Sequence, residues 1–239
     1  NYYLQAFIDE NEIGGYYTEI IKNTQGLEES LNGIVCKLTA LGRSNEEPDT
    51  IRNVWQDRGY ATQFEDVPWT NGCGWVNDAL FIANGAKATI GIRPFLGVTS
   101  SYLTTKGVTV EIDFETTNIK NEDAVVLSIG NTIKIKGNSA SLISRSGITI
   151  TDKFVANKRL KLAFIVHRRD TLLMEIINNG VSSRCASYGS SNFDDSGDLI
   201  IGGTNDASIK VYSLRIYDSS LTTYIPLQHR YPYDLTQYS

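Results

Sequence analysis

The sequence predicts an all-β chain of many short antiparallel strands. Three observations point there. Apolar and polar residues alternate with period two through most of the chain, the mark of strands with one face in a core. Turn-forming residues separate these runs at intervals of about 8–12 residues, the spacing of a sandwich or barrel. No long stretch carries a helical stripe of apolar residues. Residues 25–31 offer at most one or two helical turns.

The elements follow in order. Residues 2–8 and 16–21 read as strands, and 33–41 reads as a better one. Residues 42–49 (Gly-Arg-Ser-Asn-Glu-Glu-Pro-Asp) form a polar loop rich in breakers. Strands are expected at 60–64, 80–83 and 88–95, the last ending at Pro94-Phe95. From residue 108 the pattern sharpens. Val108, Val110, Ile112 and Phe114 alternate with Thr109, Glu111, Asp113 and Glu115. Runs at 125–129, 133–135, 141–144 and 148–151 follow, with Gly130-Asn131 and Ser146-Gly147 as turns. Residues 160–166 and 172–177 flank the hairpin Arg168-Arg169-Asp170. Asn178-Asn179-Gly180 precedes the run at 181–188, and Asn-Gly supplies the positive φ angles of a two-residue turn. Strands at 199–201 and 209–217 complete the series. In the last, strict alternation gives two mixed faces: Ile209, Val211, Ser213, Arg215 and Tyr217 against Lys210, Tyr212, Leu214 and Ile216. No internal repeat is present.

Composition narrows the function classes. The 239 residues are 41% hydrophobic and 21% charged, ordinary for a globular protein with a full core. Net charge is −5, from 22 basic and 27 acidic residues. A nucleic-acid binder would carry a basic stripe and a high pI, so no nucleic-acid partner is expected. No apolar stretch is long enough for a membrane helix, and membrane insertion is not expected. The numbering opens at Asn1 and the single Met is Met174, which suggests a processed product or a segment of a longer protein. Cys36, Cys73 and Cys185 are widely spaced and odd in number. They read as three reduced thiols of a protein made in a cytoplasm. His167 and His229 have no zinc-type spacing to any Cys. No nucleophile elbow or phosphate-cradling loop occurs.

Several segments then resemble a known family. Residues 159–166 lead through a hairpin to Met174-Glu175-Ile176-Ile177-Asn178-Asn179-Gly180-Val181, then to Ile200-Ile201-Gly202-Gly203 and to Leu214-Arg215-Ile216-Tyr217-Asp218 with a Leu221-Thr222 turn. This order resembles the second half of the concanavalin A-like lectin/glucanase superfamily in its laminin-G-like form. Residues 38–45, Gly74-Trp75, and 83–90 with Arg93-Pro94-Phe95 are similar to laminin-G-like domains of bacteriophage tail and other virion proteins. The resemblance covers roughly residues 33–225. It implies a two-sheet antiparallel jelly-roll sandwich over 31–225, a leading extension over 1–30 and a C-terminal extension over 226–239. It also implies a non-enzymatic structural or attachment domain of a virion assembled in the host cytoplasm. Its partners would be other virion proteins or copies of itself, with host-surface glycan as a possible contact. A bacterial surface adhesion or carbohydrate-binding module is an alternative.

One motif carries a different implication. Glu111-Ile112-Asp113-Phe114-Glu115 places three carboxylates on one face of one strand. By resemblance to the retaining β-glucanases of this superfamily, Glu111 is a nucleophile, Asp113 its tuning partner and Glu115 the acid/base. Retaining hydrolysis needs the working carboxyl groups about 5–5.5 Å apart, whereas alternate strand residues stand about 6.6–6.8 Å apart. The plainer reading is a row of solvent-facing charges on a half-exposed strand, and the expected catalytic set is none. Tyr102, Tyr188, Tyr212 and Tyr217 are candidate linings for a sugar, but tyrosine is common in strands and at sheet edges, and the sequence assigns no sugar site. No cofactor is expected. Asp194, Asp195 and Asp198 form an acidic loop with some capacity for calcium, which takes six to eight oxygens, though a solvated turn is the simpler reading.

Overall fold

The computed structural model describes residues 34–53, 55–56, 63–64, 73–91, 108–144, 147–168, 172–178, 181–187 and 198–217. The expected strands at 2–8 and 16–21, the helical turn at 25–31 and both terminal extensions lie outside the described residues.

The elements are β1 (Ile34–Thr39), a one-turn helix α1 (Asp49–Arg52), β2 (Trp55–Gln56), β3 (Gln63–Phe64), β4 (Gly74–Val76), β5 (Ala79–Ile82) and β6 (Lys87–Ile90). They continue with β7 (Val108–Thr117), β8 (Val125–Ile129), β9 (Ile133–Lys136), β10 (Ser139–Ile143) and β11 (Thr149–Lys153). The last are β12 (Leu160–Arg168), β13 (Leu172–Asn178), β14 (Val181–Ser187), β15 (Leu199–Gly202) and β16 (Ser208–Tyr217). Pro48 stands immediately before α1, so the predicted 42–49 loop ends in this helical turn. β4 has no counterpart among the predicted strands. It forms a tight hairpin with β5 through Asn77 and Asp78, both at positive φ (50° and 59°). That is the backbone a type I′ turn requires, and Asn and Asp tolerate it.

All pairings among these strands are antiparallel. An eight-stranded sheet runs β14-β13-β12-β7-β16-β5-β4, with β1 also on β16. A six-stranded sheet runs β11-β10-β9-β8-β15-β6, and β2 and β3 make a small ribbon. The long strand β16 gives one edge to β7 and shares its other edge between β5 and β1. β13 and β14 pair from Asn178 opposite Val181, where the Asn-Gly turn is expected; residues 179–180 themselves lie outside the described residues.

The two sheets enclose one core. Val110, Ile112 and Phe114 enter it from β7, Leu162 and Phe164 from β12, and Ile176 from β13. Ile129, Ile133, Ile135, Leu142, Leu199 and Ile201 meet them from the six-stranded sheet. Each such side chain, withdrawn completely from water, contributes about 1.5–3 kcal/mol before chain entropy is counted. Thr116 ties the layers at their rim, its Oγ1 donating to the Gly137 carbonyl at 2.7 Å.

A bulge settles the mixed faces of β16. The β7–β16 register shifts between Val211 and Ser213, so Tyr212 and Ser213 together oppose one residue. The extra residue reverses the alternation. Ile209, Val211, Leu214 and Ile216 all face the core. Lys210, Tyr212, Ser213, Arg215 and Tyr217 are left on the other side. Strict period two therefore misassigned half of this strand.

Candidate functional site

The outer face of the eight-stranded sheet carries the concentrated chemistry. Period two on β7 turns Glu111, Asp113 and Glu115 away from the core. The neighbouring strands set their company. Asp113 stands opposite Lys161 of β12 and Ser213 of β16. Glu111 stands opposite Ala163 and Arg215, and Glu115 opposite Lys210.

Each carboxylate is held. Arg159, just ahead of β12, grips Asp113 through two hydrogen bonds, Nε to Oδ1 at 2.9 Å and Nη2 to Oδ2 at 2.7 Å. Lys161 Nζ lies 3.9 Å from the same carboxylate. Tyr217 Oη donates to Glu111 Oε2 at 3.1 Å. Lys210 Nζ and Tyr212 Oη both donate to Glu115 Oε2 at 3.2 Å. The Arg159 guanidinium also lies over the Tyr212 ring, 3.8 Å from its centroid. Burial first, and then the negative charge and hydrogen-bond demand of Glu115, push the Tyr212 phenol up to about 12. Arg159 acts against that rise.

The expected solvent-facing row is corrected here. Glu111 and Asp113 are each only 2% exposed, although they point away from the sandwich core. Glu175 of β13 is buried on the same sheet, and Ala163, Ile165 and Ile177 form a small separate apolar cluster beside them. Burying charge is costly unless it is paired and hydrogen-bonded. Here Asp113 is paired with Arg159 and Lys161, Glu115 is paired with Lys210, and Arg215 stands opposite Glu111 across the strands.

This arrangement bears on chemistry. Retaining hydrolysis needs a nucleophile and a proton donor that both reach the sugar. Glu111 is closed to a substrate, and both Asp113 oxygens accept from Arg159. Glu115 is the most open of the three, with 17% of its side chain exposed, and one of its oxygens is held by Lys210 and Tyr212. Tyr217 is buried, and the Arg159 guanidinium covers one face of the Tyr212 ring.

The other expected sites disperse. Tyr102, Tyr188 and His229 lie outside the described residues, as do Asp194 and Asp195. Asp198 is exposed just before β15. Among the described residues, no group of three or more His, Cys, Asp or Glu side chains is placed to hold a metal ion. His167 lies in β12 and Cys185 in β14. Cys36 is buried in the core. Cys73 is a free, half-buried thiol, and burial pushes its pKa up. Sequence reasoning missed Arg159 and the basic residues of β16. Their signal was present as outward-facing charges, but alternation does not say which strands lie beside β7.

Solved structures share this architecture. The receptor-binding domain of botulinum neurotoxin type G superposes with a TM-score of 0.56 and 14% identity, covering 84% of this chain and 51% of that one. The fold is a two-sheet antiparallel β-sandwich. The binding domain of Paraclostridial Mosquitocidal Protein 1 gives a TM-score of 0.59 and 13% identity over 84% of this chain and 52% of its own. A Trypanosoma rangeli sialidase in complex with sialic acid gives 0.54 and 11%, over 89% of this chain and 38% of its own. The chain thus spans about half the length of the toxin domains it matches. At these identities the likeness is one of fold. No family model and no curated protein matches the sequence.

Proposed function

We propose that this chain is a non-enzymatic binding module of an attachment protein, of the kind carried on bacteriophage tails, and that it contacts glycan on a host surface. One observation carries the reading: the carboxylate strand that would have to do catalysis is sealed and charge-balanced. Its ion pairs hold the sheet together and leave no open nucleophile beside an open acid. The fold adds support, because sandwiches of this kind occur in domains named for receptor binding and in a protein solved with sialic acid. The phage setting is supported by the resemblance of residues 38–45, 74–75 and 83–95. Other virion proteins or further copies of the chain are the partners that setting implies.

The test pairs a glycan array with hydrolysis assays on a broad polysaccharide panel. The expected result is retention of at least one glycan class with no turnover of any. Turnover that disappears in Glu111→Gln overturns the reading in favour of a retaining hydrolase. No retention on the array, together with ordered multimers in solution, replaces attachment by a purely structural role.

A further inference from the structure

The outer face of the six-stranded sheet has the opposite chemistry. Cross-strand registers place Thr151, Ser141, Lys134, Ser128, Ile200 and Thr89 in one unbroken row across all of its strands. The row runs over roughly five strand spacings of about 4.8 Å. Thr151 is exposed and the others are partly so. Parity puts Lys87, Lys136 and Lys153 on the same face, and no strand residue on it is acidic.

The charge balance of this face is the informative feature. The chain as a whole carries −5, yet this face carries four lysines. Lys136 is paired with Asp123 of the loop before β8, Nζ to Oδ1 at 2.8 Å. Asp198 lies at the rim, just before β15. Lys134, in the middle of the row, makes no ion pair and no side-chain hydrogen bond among the described residues. The carboxylates of the opposite sheet are sealed among their own cations. A strand face that shows ammonium and hydroxyl groups and no carboxylate of its own offers a surface complementary to an anion.

We infer that this face binds an acidic polysaccharide, one bearing carboxylate or sulfate groups, laid across the strands. The Lys134 ammonium meets the anionic group. Ser141, Thr151, Ser128 and Thr89 supply hydroxyl donors and acceptors on either side of it, and Ile200 offers an apolar patch for the sugar ring. The inference rests on the proposed binding role and names its ligand class and surface. Because exposed charges are screened beyond about 8 Å at physiological ionic strength, the affinity falls as salt is raised.

The experiment measures binding of the whole chain to dextran sulfate, hyaluronan, neutral dextran and phosphatidylserine vesicles. Variants are Lys134→Glu and, as a control of equal charge change, Lys158→Glu in the exposed turn before β12. The inference predicts retention by the two acidic polymers and none by neutral dextran. Lys134→Glu weakens that retention at least about tenfold, while Lys158→Glu leaves it within about twofold and both variants keep the parent melting curve. Equal loss in the two variants overturns the inference, since bulk charge alone would then explain binding. Retention by vesicles without polysaccharide also overturns it. Binding of some other glycan that Lys134→Glu leaves untouched removes this surface but keeps the binding role. Silence toward every glycan removes both.

Discussion

Arg159 and Asp113 form a forked charged pair on the outer sheet face: two parallel hydrogen bonds, of 2.9 and 2.7 Å, join a half-exposed guanidinium to a carboxylate that is 3% exposed. Such a fork is stronger and more directional than a single contact. It also couples two segments far apart in sequence, because Arg159 simultaneously covers the Tyr212 ring of β16.

Removing the guanidinium should therefore cost more than an ordinary surface substitution. Arg159→Ala leaves a buried carboxylate with the more distant Lys161 ammonium in partial compensation. A loss of about 2 kcal/mol is expected, below the value for a fully buried pair because Arg159 is half in water. Urea unfolding measures it. Arg159→Ala in an Asp113→Asn background should cost less than half as much, and equal costs in both backgrounds would show that the pair is not coupled.

Tyr212 should be among the last phenols to ionise. Its folded value is pushed up to about 12, against 10.0 for an ordinary tyrosine. The folded state thus holds this proton more tightly than the unfolded one. The associated stability is complete below pH 10 and is lost as pH rises through about 12. Phenolate absorbance of the native protein should show a late component that Tyr212→Phe removes. An unchanged late component places the high value on another tyrosine.

The bulge at Tyr212 predicts an unusual tolerance. Deleting Tyr212 makes β16 regular while Val211 and Leu214 keep their core positions. The deletion protein should fold cooperatively, at a cost of about 1–3 kcal/mol from the lost contacts to Glu115 and Arg159. Deleting Ala163 from the regular strand β12 should prevent folding, because either Leu162 or Phe164 must then leave the core. Far-ultraviolet circular dichroism and solubility separate the two outcomes.

Gly202 ends β15 with φ at 80°, and a Cβ there would come within 2.4 Å of both the Ala86 carbonyl oxygen and Ile82 Cγ2. Gly202→Ala should cost more than about 2 kcal/mol, the strain of the left-handed backbone adding to the clash. Gly42, at φ 72°, has nothing within 4 Å of a built Cβ. Its Ala variant should cost only about 1 kcal/mol, since backbone strain acts alone. Thermal melts compare them, and equal losses would remove the packing argument.

The strand series from residue 108 onward was legible because alternation is a local property. Val108 to Phe114, Ile133 to Ile135 and Leu160 to Val166 each record which side faces the core. The co-facial set Glu111, Asp113 and Glu115 was legible for the same reason. β4 was not, since a strand as short as Gly74–Val76 has too few residues to show a period; its Asn77-Asp78 turn was the available sign.

The sequence by itself determined the fold class, most strands from residue 108 onward, and the fact that three carboxylates share one face. Only the tertiary structure decided that this face is closed, that Arg159 and Lys210 stand beside it, and that β16 changes parity at Tyr212. The physical reason is that alternation fixes a side within one strand, whereas burial and charge pairing depend on which strands become neighbours. Those neighbours, 46 residues apart for Asp113 and Arg159, are chosen by packing of the whole sandwich.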